Sequence, residues 1–150
     1  MKGSNQRGII FAVSISENKG TKKINVASAR LKKDFGILGD AHAGDKHRQV
    51  SLLAMESIEK MRQKGLKVKP GDFAENITTQ GIDLLKLNIG SKIKLGKVAI
   101  LELTQIGKEC HTRCNIYYQA GDCVMPREGV FTRVLKAGVI KPNDEIGVIE

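Results

Sequence analysis

Short runs dense in β-branched residues, each cut off by glycine or a polar turn, constrain this chain more than any other feature. Isoleucine and valine together number 26 against 12 leucines. Two heavy atoms on Cβ stiffen these side chains and suit them to a pleated sheet. Such runs occur at Gly8–Ser16, around Ile24–Leu31, and at Gln49–Leu53, Ala74–Thr79, Lys92–Leu95, Val98–Thr104, Val130–Leu135 and Glu145–Ile149. Only one stretch has a clear helical period. Ala54, Ile58 and Met61 share one face, and Gly65 follows as a stop, which predicts a helix over Ala54–Lys64. Ile82–Leu87 reads as a helical turn or connector. Many short strands with one principal helix predict a mainly β domain, a barrel or a sandwich.

The 150 residues show no linker or repeat, so residues 1–150 read as one domain. No apolar run approaches the roughly 20 residues of a membrane span, and Gly8–Val13 is too short for a signal-peptide core. The expectation is a cytoplasmic protein without a membrane partner, whose three cysteines remain thiols unless they serve redox or metal chemistry. The net charge is +9, and residues 1–36 alone carry +6. These lysines read first as solvated surface and next as a face for an anionic ligand or partner. With six Phe and Tyr, no Trp and no RNA-binding signature, a nucleic-acid partner is not expected.

Two polar stretches concentrate chemistry. Phe35–Gly44 holds Gly36, Gly39 and Gly44 and reads as an exposed irregular loop, running into Asp45, His47 and Arg48. Asp40, His42, Asp45, His47 and Arg48 suit either a turn-forming, hydrogen-bonding loop or a rim where His and Arg meet an anion. Gly107–Gly129 is long for a loop in a compact domain and carries Cys110, Cys114 and Cys123. Lys108, His111, Arg113 and Arg127 lie near in sequence, and positive charge favours the thiolate. Asp122 acts in the opposite sense. A buried structural thiol is the alternative reading. The C-x₃-C-x₈-C spacing is not that of a zinc ribbon. Glu75 and Asn76 serve either structural hydrogen bonding or ligand reading.

Taken in order, Gly39-Asp40-Ala41-His42-Ala43-Gly44, His47-Arg48-Gln49-Val50-Ser51-Leu52-Leu53, Pro70-Gly71-Asp72-Phe73-Ala74-Glu75-Asn76-Ile77, Thr104-Gln105-Ile106-Gly107-Lys108 and Met125-Pro126-Arg127-Glu128-Gly129-Val130-Phe131 resemble the MOSC domain. That domain is named after the C-terminal region of molybdenum cofactor sulfurases, and the chain looks like a small stand-alone prokaryotic member. The resemblance implies a closed β-barrel. It also implies binding of the molybdenum cofactor (molybdopterin), a pterin dithiolene with a phosphate, and either sulfur transfer through a cysteine persulfide or cofactor-based redox chemistry.

Relatives include sulfurases with a separate pyridoxal-phosphate domain. This chain has no room for one, so a cysteine desulfurase would donate sulfur, and a molybdoenzyme or cofactor-synthesis protein would accept it. Cys123 falls near the position where several relatives place the sulfur-carrying or metal-ligating cysteine, followed in rank by Cys114 and Cys110. By the same resemblance, His42, His47, Arg48, Glu75, Asn76, His111, Arg113 and Arg127 are the expected cofactor-binding residues. Three functions remain open: a sulfur carrier, a cofactor-dependent oxidoreductase with Cys123 on molybdenum, or a non-catalytic binding and delivery module.

Overall fold

A computed structural model describes residues 6–18, 21–107 and 125–149. Eleven strands are defined among them: β1 (Arg7–Ile15), β2 (Ile24–Val26), β3 (Ala29–Lys32), β4 (Gly36–Ile37), β5 (Val50–Ala54), β6 (Ile77–Gln80), β7 (Lys92–Leu95), β8 (Ala99–Ile106), β9 (Val130–Lys136), β10 (Gly138–Ile140) and β11 (Glu145–Ile149). The principal helix α1 is Met55–Gln63, a 3₁₀ turn spans Leu84–Lys86, and a single helical turn, α2, spans Met125–Glu128.

Seven strands close into a barrel in the order β1-β11-β7-β8-β9-β5-β6, and β6 pairs back onto β1. Closure removes the open edges that an isolated sheet would expose. It also decides between the barrel and the sandwich in favour of the barrel. Every pair in the ring is antiparallel except β5–β6. A parallel pair needs a crossover rather than a hairpin, and α1 lies within that crossover. β2 hangs from β1, while β3, β4 and β10 form a separate small sheet. Gly138 lets β10 approach β8 closely, since a Cβ there would lie 3.0 Å from the Ala99 backbone nitrogen.

Two apolar clusters follow from this layering. The barrel interior contains Ile10, Leu52, Ile77, Ile93, Leu101, Val134 and Ile146. A second cluster, under α1, contains Leu53, Met55, Ile58, Met61, Phe73 and Phe131. β5 is buried along nearly its whole length because Leu52 faces the barrel and Leu53 faces the helix layer. Leu101 rather than Ile100 faces the core.

Some local expectations change. Phe35–Gly44 is not wholly irregular, because Gly36–Ile37 pairs with β3. Gly36 has φ +129°, and its Cβ would meet the Gln49 carbonyl at 3.0 Å, so glycine permits this pairing. The strand expected over Ala74–Thr79 begins only at Ile77, because Ala74 adopts φ +66°. β10 was not distinguished from β9 in the sequence, as only Ala137 separates the two strands. Asn18-Lys19-Gly20, which reads in the sequence as the turn after the first strand, lies partly outside the described residues. No helix among the described residues is long and apolar enough to cross a membrane.

Candidate functional site

Lys23, at the entrance to β2, has no exposed surface. Its Nζ donates to Asp40 Oδ1 at 2.8 Å and Ser16 Oγ at 3.0 Å, and lies 3.2 Å from His42 Nδ1. An ammonium has three donors, so these groups form a complete acceptor set. Ser16 follows β1, Lys23 precedes β2, and Asp40 and His42 lie in the loop after β4. The cluster therefore pins that loop to the β1–β2 hairpin. Asp40 also accepts the Ser16 and His42 backbone amides at 3.1 Å. Burial alone would raise the Asp40 pKa. The adjacent His42, the Lys23 ammonium and the Ser16 amide outweigh burial and hold the carboxyl well below the usual carboxylate range.

Glu75 and Asn76 sit close behind this cluster, and both are fully buried. The link runs through Gly71, whose carbonyl accepts the Lys23 amide at 2.8 Å while its own amide donates to Glu75 Oε2 at 2.9 Å. Gly71 has φ +94°, and a Cβ there would fall 2.4 Å from the Lys23 carbonyl oxygen. Glycine is thus required by both conformation and space. Thr78 Oγ1 donates to Glu75 Oε2 at 2.7 Å, but Glu75 Oε1 has no partner among the described residues. Burial raises the Glu75 pKa and outweighs these hydrogen bonds. Asn76 bridges strands, with Oδ1 accepting the Ser51 amide at 3.0 Å and Nδ2 donating to the Ser14 carbonyl at 3.1 Å.

His47 and Arg48 lie farther along the same loop and turn toward β8 and β9. Asp45 Oδ1 accepts the backbone amides of both at 2.9 Å, a side-chain-stabilised turn. The loop is therefore turn-forming here and a buried charge cluster at Asp40. The Arg48 guanidinium lies 5.3 Å from the Phe131 ring centroid, and its Nε donates to Gln105 Oε1 at 3.2 Å. Thr104 Oγ1 donates to the His47 carbonyl. These contacts place Arg48 beside the ends of β8 and β9, where Gly107 N donates to Gly129 O at 2.7 Å. Residues 108–128 separate those two glycines in sequence, and Cys110, His111, Arg113, Cys114 and Cys123 lie in 108–124, outside the described residues.

Arg127 is exposed on α2. With Lys60, Met61, Lys64, Leu85 and Glu128 it lines a cleft of about 470 Å³ against α1, a lining that includes neither His42 nor Arg48. Glu128 ties α2 to α1 by accepting Ser57 Oγ at 2.5 Å and Lys60 Nζ at 2.9 Å. No group of three or more His, Cys, Asp or Glu side chains suited to a metal occurs among the described residues.

Sequence reasoning missed Lys23, which read as one more solvated lysine. Lys23 is buried while the apolar Ile24 beside it is 71% exposed, the reverse of what side-chain polarity alone suggests. The inversion has a distant cause, since the partner that stabilises buried Lys23 is Asp40. No local charge pattern reports that pairing.

The MOSC domain family model matches residues 39–147, well over half of the chain. The chain belongs to the MOSC domain family. That family is associated with the molybdenum cofactor. Among solved structures, the YUAD protein from Bacillus subtilis superposes with a TM-score of 0.79 at 19% identity, covering 95% of each chain. YiiM from Geobacillus stearothermophilus gives 0.69 at 19% identity, covering 96% of this chain and 75% of that one. YiiM from Escherichia coli gives 0.65 at 17% identity, with 95% and 70% covered. At these identities the likeness to the solved structures establishes the shared MOSC fold. No curated protein matches the sequence.

Proposed function

We propose that this MOSC domain binds the molybdenum cofactor and carries sulfur as a cysteine persulfide for its maturation. The observation that carries the reading is the family match over residues 39–147, which spans both the His42–Arg48 loop and all three cysteines. The donor set at the rim fits the phosphate of such a cofactor. His42 stands over the buried Lys23 ammonium, and Arg48 is braced by Phe131 and Gln105. When bound, the group supplies a molybdenum centre for sulfur insertion.

Residues of this chain would act as follows. His42 and Arg48 hold the anionic end of the ligand. Cys123, with Cys114 and Cys110 next in rank, attacks the outer sulfur of a donor persulfide as the thiolate. A new S–S bond forms, the donor's S–S bond breaks, and the donor cysteine leaves as its own thiolate. The donor is a cysteine desulfurase, and the acceptor a molybdoenzyme or cofactor-synthesis protein. Arg127, four residues after Cys123, would stabilise the persulfide anion.

Mass spectrometry of protein loaded by a cysteine desulfurase, without oxygen or reductant, tests the sulfur-carrier function. One extra sulfur atom should appear on wild type and vanish in Cys123→Ser, while Cys114→Ser and Cys110→Ser retain it. Loss in Cys114→Ser alone would transfer the role to Cys114. Absence of any sulfur adduct on wild type would contradict the sulfur-carrier function.

A further inference from the structure

We propose that Lys23 is a positioning residue that locks His42 in the Nε2–H tautomer, making its ring an obligate donor to a phosphate-class oxyanion. Lys23 Nζ can only donate, and His42 Nδ1 lies 3.2 Å from it. Nδ1 must therefore present its lone pair, which leaves the ring proton on Nε2. The neighbouring groups agree. Ser16 Oγ donates its own proton to the Asn18 carbonyl at 3.0 Å and so has a lone pair free for Lys23. Asp40 Oδ2 is 3.8 Å from Nδ1, beyond hydrogen-bond reach, and already accepts the His42 backbone amide. A proton on Nδ1 would point at the ammonium and find no acceptor within reach.

The outer side of the ring is where a ligand would bind. The His42 side chain is 23% exposed, and among the described residues no group bonds Nε2. A ring locked this way cannot accept through Nε2, so it selects acceptors over donors. The Lys23 ammonium behind it does not reach the ligand, because its three donors are already used, and the Asp40 carboxylate balances its charge. A tetrahedral oxyanion, whose oxygens accept, meets this condition, whereas an ammonium or a metal-bound water, which can only donate, does not. The identification of the ligand's phosphate with that of the molybdenum cofactor rests on the proposed function. The tautomer and the preference for an acceptor rest on the geometry alone.

The test is long-range ¹H–¹⁵N correlation NMR of the histidine rings at about pH 8, above the ordinary histidine range, with His42 assigned by comparison with His42→Gln. Wild type should show His42 protonated at Nε2 alone, with Nδ1 shifted by an accepted hydrogen bond. Inorganic phosphate should move the Nε2 resonance of His42. In Lys23→Met no donor faces Nδ1, and the unpaired Asp40 carboxylate can move to accept an Nδ1 proton. The ring should then populate the Nδ1–H tautomer, and phosphate affinity should fall about tenfold or more. A merely structural lysine would alter folding without reversing the tautomer.

An Nδ1–H ring in wild type would overturn the proposal, even if Lys23→Met does not fold. So would a Nε2 resonance unmoved by phosphate, or an unchanged tautomer in folded Lys23→Met. Failure of the protein to retain molybdenum cofactor would overturn the proposed function and leave these NMR results standing.

Discussion

Asp40 and Glu75 are both buried carboxyl groups, linked through Lys23 and Gly71, yet their pKa values move in opposite directions. Asp40 has the Lys23 ammonium at 2.8 Å and two backbone amides, and its carboxyl is held below the usual range. Among the described residues, Glu75 has one amide and one hydroxyl on a single oxygen and no cation against it, and burial raises its pKa. Burial charges the same kind of penalty to both; the difference is whether a cation was buried alongside. A fixed anion with its cation makes a rigid electrostatic platform under His42. A carboxyl whose charge is opposed by burial makes a structural hydrogen-bonding group.

Removing the cation should break this contrast most severely. Lys23→Met leaves Asp40 charged and unpaired in the interior, and should cost about 3–5 kcal/mol in urea unfolding. Lys23→Met with Asp40→Leu should recover most of that loss, because the pair repays little beyond its own desolvation. Equal destabilisation in the single and double variants would show that Lys23 serves packing rather than charge.

Acid should come next. The folded Asp40 pKa lies below its unfolded value, so its contribution to stability is complete above the ordinary carboxylate range. That contribution is lost as pH falls below about 4 toward the folded value. Urea midpoints measured from neutral pH downward should fall more steeply for wild type than for Asp40→Asn.

Glu75 has the opposite sign. Its folded pKa lies above the unfolded one, so the fold binds the proton more tightly and loses stability as pH rises past the ordinary range. Glu75→Gln should match wild type near pH 4 and become relatively more stable toward pH 8. A relative stability that falls with rising pH would show that Glu75 is held as an anion.

The smallest effect lies outside the cluster. Lys60 is 61% exposed, and its bond to Glu128 should contribute no more than about 1 kcal/mol. Lys60→Met should barely move the thermal midpoint. Ser57→Ala, which removes the other bond from Glu128, should cost about 1 kcal/mol.

The same contrast explains what the sequence revealed. Strands and the helix were readable because Ile, Val and Leu spacing reports burial locally, as at Lys92–Leu95 and Ile58–Met61. The loop that holds His42, His47 and Arg48 was readable as a polar stretch because these residues lie close in sequence. Lys23 was hidden because its burial depends on Asp40, 17 positions away. Glu75 could not be assigned a protonation state because that depends on the absence of a cation, which no local motif encodes. Ala74 ended an expected strand early because a positive φ was accepted there, beside the buried Glu75.

The central claim is that the rim formed by His42 over Lys23 and by Arg48 over Phe131 holds a phosphate-bearing molybdenum cofactor. Its most direct test is the molybdenum and pterin content of protein purified without oxygen from cells that make the cofactor. The account predicts both in wild type, and loss of both in folded His42→Ala and Arg48→Met. Wild-type protein carrying neither, or variants that retain as much as wild type, would contradict it.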